Sequence, residues 1–258
     1  MTAHEAAHQW WAHQVIGGNV QGSTMLVESL AQYSALMVMK KKFGAAKMRR
    51  FLSYELNRYL RGRAFEQKKE LPLSRVENQD YIHYAKGSLV FYALQDYIGE
   101  DRLNQAIRGF RDAHAFKGSP YPSSEELVQR IREVTPPEMR YMVEDMFEKI
   151  VVYDNRAVSA TSKQLADGKW EVTMKVVAKK RVADELGKES DVALDDLIDI
   201  GVIDDKGDAI AVEKKRIQGE ESTFTMTVDK RPVKAGIDPL NKLIDRRPGD
   251  NAIVVTPG

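Results

Sequence analysis

The residues His4-Glu5-Ala6-Ala7-His8 constrain the fold of this 258-residue chain more than any other stretch. Residues four apart on a helix lie on one face, so the imidazoles of His4 and His8 can bind one metal ion. Glu5 would lie beside that ion, where its carboxylate can accept a proton from a bound water. Because the chain contains only five histidines, a chance match is uncommon, and the pattern predicts a metal-binding helix.

A third ligand is required, because catalytic zinc sites combine three protein ligands with one open position. We expect the first helix to continue through residues 9–16 and to break at residues 17–19, Gly-Gly-Asn. A second helix is predicted from residue 25 to about residue 41, with Glu28 in its first turn. There a carboxylate is either a surface acid favoured by the helix dipole or a metal ligand. Its position after the His-Glu-x-x-His helix and a tight glycine turn favours the ligand.

Three segments together resemble the zinc aminopeptidases of the membrane alanyl aminopeptidase family, which are gluzincins. They are HEAAHQWW at residues 4–11, ESLAQY at residues 28–33 and YAKG at residues 84–87. The likeness covers residues 2–150 well and the remainder loosely. HQVIG at residues 13–17 and the segment at residues 236–246 are similar to a bacterial branch whose peptidase domain is joined to an ABC-type transporter permease.

The resemblance implies one Zn²⁺ ion per chain, held by His4, His8 and Glu28, with Glu5 as the base that activates water. Two departures from the family pattern bear on the metal. Nineteen residues separate His8 from Glu28 where the family usually has eighteen, and the extra residue can be absorbed at the glycines. Val27 and Ser29 replace the Asn and Gly that usually flank the ligand glutamate, which changes the support of that ligand.

Tyr84 is the candidate oxyanion donor, because the matching tyrosine of the family donates its hydroxyl to the tetrahedral intermediate. The alternative for Tyr84 is a buried aromatic in a helical stripe, and Tyr81, one turn earlier, competes for the catalytic role. Gln32 is a candidate to support a metal ligand. The remaining histidines are expected to be structural or exposed: His13, His83 and His114.

Composition excludes several classes of function. The formal net charge is +1, so no broad attraction to nucleic acid is expected. Cysteine is absent, which excludes disulfides and thiolate metal ligands. No uninterrupted apolar run approaches the ~18 residues of a membrane span.

The predicted fold class is α+β with two domains. Residues 1–150 show helical periodicity and are expected to form the all-α C-terminal part of a thermolysin-like zinc peptidase domain. From residue 151 the apolar period changes to two, as in residues 169–177 and 222–228, with turn signals between. These features predict a small antiparallel β-sandwich of immunoglobulin-like character over residues 151–258. The charged stretch 180–196 is expected to be an edge or loop.

In the family, a large β domain precedes the zinc helix and carries a Gly-x-Met-Glu-Asn loop that binds the substrate's amine. No such loop occurs in this sequence, so we expect the chain to be the C-terminal piece of a longer protein. The leading hypothesis is a zinc metallopeptidase that removes N-terminal residues from peptides. The alternative is a non-catalytic extracytoplasmic scaffold or partner domain of a membrane transporter. By resemblance the domain is expected to be membrane-tethered, outside the cytoplasm.

Overall fold

The computed structural model describes residues 1–258 and combines helices with largely antiparallel sheets. The chain forms two compact units that each comprise several segments. The first unit contains Met1–Lys42, Tyr54–Val151 and Ala183–Lys188, and the second contains Phe43–Ser53, Val152–Val182 and Glu189–Gly258. The expected domains, residues 1–150 and 151–258, stay a prediction. None of the helices has the length and apolar character that crossing a membrane requires.

Seven α-helices lie in the first 150 residues. Their bounds are α1 Thr2–Ala7, α2 Leu30–Phe43, α3 Arg49–Phe65, α4 Gly87–Ile98, α5 Glu100–His114, α6 Ser124–Val134 and α7 Arg140–Val143. Short 3₁₀ turns occupy Ala45–Lys47, Leu73–Arg75 and Pro137–Met139. Helix α4 is almost entirely buried, whereas α5 and α6 each bury one apolar face. Helix α4 is therefore a core helix, and the amphipathic α5 packs against it.

Three π-helical turns interrupt the regular geometry: Met25–Ser29 before α2, Tyr81–Lys86 before α4, and Glu144–Glu148 after α7. A π-helical turn widens the helix and changes the direction of its side chains, and such turns are frequent at functional sites. The first contains Glu28 and the second contains Tyr84. The local geometry at both predicted site residues therefore differs from the regular helix that the sequence suggested.

The first helix is shorter than predicted, because it ends at Ala7 and residues 9–16 form turns. His8 Nδ1 lies 2.9 Å from the carbonyl oxygen of Trp11. The imidazole therefore competes with backbone N–H groups for this carbonyl, which a continuing helix would use in its own hydrogen bonds. Ala12 has a φ of 128°, outside the helical region. Trp11 and Val15, both buried, form an isolated β-bridge instead of successive helical turns.

The sequence contains two capping boxes, Ser123 with Glu126 and the segment at residues 135–138, and each predicts the start of a helix. The hydroxyl of Ser123 accepts a hydrogen bond from the Glu126 backbone N–H and begins α6 as expected. The box expected at residues 135–138 is wrong. Thr135 donates its hydroxyl to the Ile131 carbonyl and closes α6 rather than beginning the next helix.

Eleven strands follow, and they form three sheets with the orders β1-β4-β5, β10-β9-β6-β7 and β11-β2-β3-β8. Their bounds are β1 Ile150–Tyr153, β2 Arg156–Gln164, β3 Trp170–Val177, β4 Lys180–Ala183, β5 Glu189–Val192, β6 Asp196–Ile203, β7 Ala209–Ile217, β8 Glu221–Val228, β9 Lys234–Ile237, β10 Ala252–Val254 and β11 Thr256–Pro257. The pair of β11 with β2 is parallel, whereas β3 pairs antiparallel with both β2 and β8.

The period-two pattern is realised in β3, whose Val172, Met174 and Val176 are buried while Thr173 and Lys175 between them are half-buried. The charged stretch 180–196, expected to be an edge or loop, contributes β4, β5 and the start of β6, and the edge is confirmed at β5, the exposed outer strand of the β1-β4-β5 sheet. Charge is accommodated there by pairing, since the buried Lys180 ammonium lies 3.0 Å from the Asp196 carboxylate.

The segment at residues 236–246 is a buried loop held by its own carboxylates. Asp238 accepts hydrogen bonds from the backbone N–H groups of Lys242 and Leu243 at 2.9 and 3.0 Å. Asp245 accepts the backbone N–H of Asn155 at 2.8 Å. Burial raises the pKa of Asp238 to about 8 and that of Asp245 to about 7.

Candidate metal and catalytic site

His4 and His8 lie one turn apart at α1, and their ring centroids are 4.8 Å apart in an edge-to-face arrangement. His4 is buried and His8 is half-buried. The contact of His8 Nδ1 with the Trp11 carbonyl orients the ring, so its Nε2 is the nitrogen directed toward Glu28. A backbone carbonyl on the second ring nitrogen is a common partner of metal-binding histidines.

Glu28 approaches both histidines from the π-helical turn Met25–Ser29. Its Oε2 atom lies 3.3 Å from His4 Nε2 and 3.6 Å from His8 Nε2. Candidate ligand atoms of the three residues all lie within 4.8 Å of one another. The structure thus brings together the three residues that the sequence predicted as metal ligands.

These distances fit zinc better than they fit direct hydrogen bonds. Zinc bonds of about 2.0–2.1 Å in tetrahedral geometry place neighbouring ligand atoms about 3.4 Å apart, whereas N–H···O hydrogen bonds are usually about 2.9 Å long. The Oε2 atom of Glu28 is buried and has no hydrogen-bond partner. A buried oxygen without a partner, facing two imidazole nitrogens, is well suited to a divalent cation. The side chains of His4, His8 and Glu28 therefore fit a zinc ion.

Tyr84 lies beside this cluster, with its ring centroid 5.6 Å from that of His4. Burial raises the pKa of Tyr84 to about 12, and the charge of Glu28 and a hydrogen bond to Glu28 add to the rise. The phenol is therefore a proton-bearing donor at neutral pH. Glu5 is exposed, and its charge makes a smaller contribution to the same pKa.

Tyr81, the competing tyrosine, is packed elsewhere. Its ring stacks on that of Tyr59 with centroids 5.9 Å apart, and its hydroxyl lies 3.4 Å from Gln79 Nε2. Lys86 of the YAKG segment is buried too, with its ammonium 5.5 Å from the Tyr59 ring. Burial lowers the pKa of Lys86. Tyr81 and Lys86 therefore both pack against Tyr59.

Gln32 supports a different group from the one expected. Its amide donates to Glu55 at 2.8 Å, and Glu55 in turn accepts from Arg58 at 3.0 Å. The Arg58 guanidinium carbon lies 5.9 Å from the centroid of the Tyr84 ring, within reach of a cation–π contact. Sequence reasoning missed Glu55 and Arg58, whose only signal was their spacing of three on an amphipathic helix.

The other histidines occupy separate positions. His13 is exposed, and His114 lies 2.6 Å from a Glu126 carboxylate oxygen. The buried ring of His83 packs edge-on against the Tyr84 ring, with the two centroids 4.4 Å apart. Burial lowers the pKa of His83. The ring is therefore neutral at neutral pH.

A model of the peptidase family M1 domain matches residues 1–150. Among solved structures, a match is the crystal structure of an M1 zinc metallopeptidase mutant from Deinococcus radiodurans bound to a Tyr-Ser-Ala substrate. That match has 19% sequence identity and a TM-score of 0.43, and it covers 57% of this chain and 32% of that chain. This chain therefore spans about a third of the length of that protein.

Comparison with curated protein sequences finds no match. The family model alone spans residues 1–150 of the 258 and includes His4, His8, Glu28 and Tyr84. The chain belongs to the M1 family of metallopeptidases.

Proposed function

We propose that this protein is a zinc-dependent aminopeptidase module in which His4, His8 and Glu28 bind one zinc ion. The observation that carries the proposal is the convergence of these three side chains, with Glu28 Oε2 between two imidazole nitrogens and without another partner. Membership of a zinc-dependent peptidase family supports the identity of the metal. The substrate class is a peptide with a free N-terminus.

Each side chain has a distinct task in this proposal. Zinc, when bound, would polarise the scissile carbonyl and acidify water. The Glu5 carboxylate accepts the proton of the attacking water and passes it to the departing amine. The Tyr84 hydroxyl donates a hydrogen bond to the oxyanion, and its raised pKa supports this donor role. The Arg58 guanidinium carbon lies 5.9 Å from the centroid of the Tyr84 ring and adds positive charge beside that side chain.

Substrate anchoring requires a further group. Removal of single N-terminal residues needs an acceptor for the substrate's ammonium, and the 258 residues contain no Gly-x-Met-Glu-Asn loop. We propose that this acceptor comes from a further, N-terminal portion of the same protein.

The finer architecture and the cellular context are proposals based on the family resemblance. We propose a thermolysin-like helical subdomain followed by a sandwich of immunoglobulin-like character, a location outside the cytoplasm on a membrane tether, and a link to an ABC-type permease. The branch assignment rests on the likeness of the segments at residues 13–17 and 236–246 to that bacterial branch.

Metal analysis of the purified chain tests the proposal. We expect one zinc per chain, and loss of zinc in His4→Ala. The matched control is His13→Ala, an exposed histidine of the same segment, which should retain the metal. Zinc that survives His4→Ala, or a chain that binds none, would contradict the assigned centre.

The role of Glu5 needs a separate test. Glu5→Gln should keep zinc while lowering hydrolysis of an aminoacyl anilide by about 10²–10⁴-fold, the usual contribution of a general base. This comparison is made at equal zinc occupancy, in a form of the protein that cleaves the anilide. Near-normal hydrolysis by Glu5→Gln would remove Glu5 from the mechanism.

A further inference from the structure

The two helical segments that carry Glu28 and Tyr84 are joined at Ser29. This serine is fully buried, and its hydroxyl donates a hydrogen bond of 2.5 Å to the carbonyl oxygen of His83. Ser29 directly follows Glu28, and His83 directly precedes Tyr84. One hydrogen bond therefore connects the immediate neighbours of two site residues that are far apart in the chain.

Gly87 brings the same two segments into close contact. A Cβ atom at Gly87 would lie 2.2 Å from Ser29 Oγ and 2.6 Å from Ser29 Cβ. Real Cβ atoms do not approach other atoms so closely, so a larger residue at position 87 would push the segments apart. Two features therefore maintain this contact between the Glu28 segment and the Tyr84 segment: the hydrogen bond of the Ser29 hydroxyl and the small size of Gly87.

A second hydrogen bond fixes the start of the Glu28 segment. The hydroxyl of Thr24 donates to the Glu77 carbonyl oxygen at 2.6 Å. Thr24 lies one residue before the π-helical turn Met25–Ser29, and Glu77 precedes the turn that carries Tyr84. The segment is thus bound at both ends, and rotation about its axis, which would swing Glu28 away from His4, is opposed.

We propose that Ser29 is a positioning residue for the metal centre: its bond to the His83 carbonyl, against Gly87, sets the distance between the Glu28 carboxylate and Tyr84. This inference rests on the proposed function, since it assumes that Glu28 binds zinc. A merely structural serine would stabilise the fold without affecting the geometry of the metal.

Ser88 supplies a matched control. It is also fully buried, and its hydroxyl donates to a backbone carbonyl, that of Ala85, at 3.1 Å. That bond stays within one helical segment and does not join two. Ser29→Ala and Ser88→Ala therefore each remove one buried hydroxyl, but only the first removes a link between Glu28 and Tyr84.

The test measures metal binding and metal geometry in the whole chain. We expect Ser29→Ala to weaken zinc binding about tenfold in competition with a chelator, the lower end for residues that support metal ligands. The visible absorption band of the Co²⁺-loaded protein should shift as well. Ser88→Ala should bind zinc within about twofold of the unaltered protein, with an unchanged Co²⁺ band.

Three outcomes would overturn the inference in distinguishable ways. If Ser29→Ala matches Ser88→Ala in zinc affinity and Co²⁺ spectrum, Ser29 is only structural and the metal centre stands. If the unaltered chain binds neither metal, the centre itself is wrong. Should Ser29→Ala fail to fold, Ser29→Gly removes the hydroxyl without adding volume at Gly87, and unchanged zinc affinity in that variant would refute the positioning role.

Discussion

At the scale of single residues, the site depends on side chains whose usual partners are missing. Glu28 Oε2 is buried without a hydrogen-bond partner, and so is His4 Nδ1. Desolvated polar atoms cost free energy unless another group compensates. We infer that zinc compensates at Glu28, so the arrangement that stabilises the metal destabilises the metal-free protein.

The substitution Tyr84→Phe distinguishes the hydrogen bond that the Tyr84 hydroxyl would donate from the packing of the Tyr84 ring. The substitution keeps the ring beside His4 but removes the hydroxyl. In a form of the protein that cleaves an aminoacyl anilide, we expect hydrolysis to fall about 10²–10³-fold, as on loss of an oxyanion donor. Zinc stoichiometry should not change. Tyr81→Phe, in which the hydroxyl lies near Gln79 instead, is the control and should remain active. Equal activities of the two variants would contradict the role of Tyr84.

The proximity of His4 and His8 could be predicted from their helical spacing, and that of Glu28 from its position after the glycine turn and from the family resemblance. The supporting residues could not. Ser29 meets His83 across 54 positions of the chain, and no local pattern encodes that crossing. The same applies to the Gln32–Glu55–Arg58 series, whose members belong to two helical segments.

At the scale of elements, two π-helical turns present Glu28 and Tyr84. Sequence periodicity predicted both helices but not their wide turns, because the apolar pattern is nearly the same in either geometry. The glycines at residues 17 and 18 are one place where the extra residue between His8 and Glu28 can be accommodated. A wide turn at Met25–Ser29 is a second place where an additional residue is accommodated.

The close crossing at Gly87 predicts a non-additive pair of substitutions. Gly87→Ala should destabilise the chain by about 1–3 kcal/mol, the usual cost of overpacking. Ser29→Gly removes both atoms that the new methyl group would meet, so the double variant should recover part of the loss. Chemical denaturation of the four proteins measures the coupling. Strict additivity would show that the two residues do not touch.

The buried carboxylate of Asp238 predicts a pH dependence of the second unit. Burial, helped by the charge of Asp199 and opposed by the ammonium of Lys242, raises its pKa from 3.8 to about 8. The folded state then binds the proton more tightly than the unfolded state, so stability should fall as pH rises from about 4 to about 8. Asp245, with a pKa of about 7, acts in the same direction over a narrower range.

Denaturation of Asp238→Asn at several pH values tests this linkage. Asparagine cannot ionise, so the decline in stability between about pH 4 and pH 8 should become shallower. The control Asp205→Asn changes an exposed carboxylate of a turn and should leave the slope as it is. An unchanged decline in Asp238→Asn would show that the carboxyl is already ionised in the folded state over this pH range.

At the scale of the whole molecule, composition and periodicity predicted a helical part and a strand-rich part, and the family model covers the helical part. The pairing of eleven strands in three sheets was beyond sequence reasoning, because strand order depends on contacts between distant segments. The stretch at 180–196 is an example, because its edge strand β5 pairs with β4, and the buried Lys180 of β4 pairs with Asp196.

The whole chain also predicts a limit on activity. Without an acceptor for the substrate's ammonium, the 258 residues alone should cleave an aminoacyl anilide weakly or not at all, even when loaded with zinc. Binding of the metal and turnover are thus expected to be separable in this chain. Robust cleavage by the isolated, zinc-loaded chain would show that the ammonium is recognised within these residues.

The most direct measurement is an anomalous-difference map from crystals of the zinc-loaded chain. We predict one zinc peak about 2.0–2.2 Å from His4 Nε2, His8 Nε2 and a Glu28 carboxylate oxygen, with the Ser29 hydroxyl still hydrogen-bonded to the His83 carbonyl. A zinc peak bound by other residues, or a Glu28 side chain turned away from a metal held by the two histidines, would contradict this prediction.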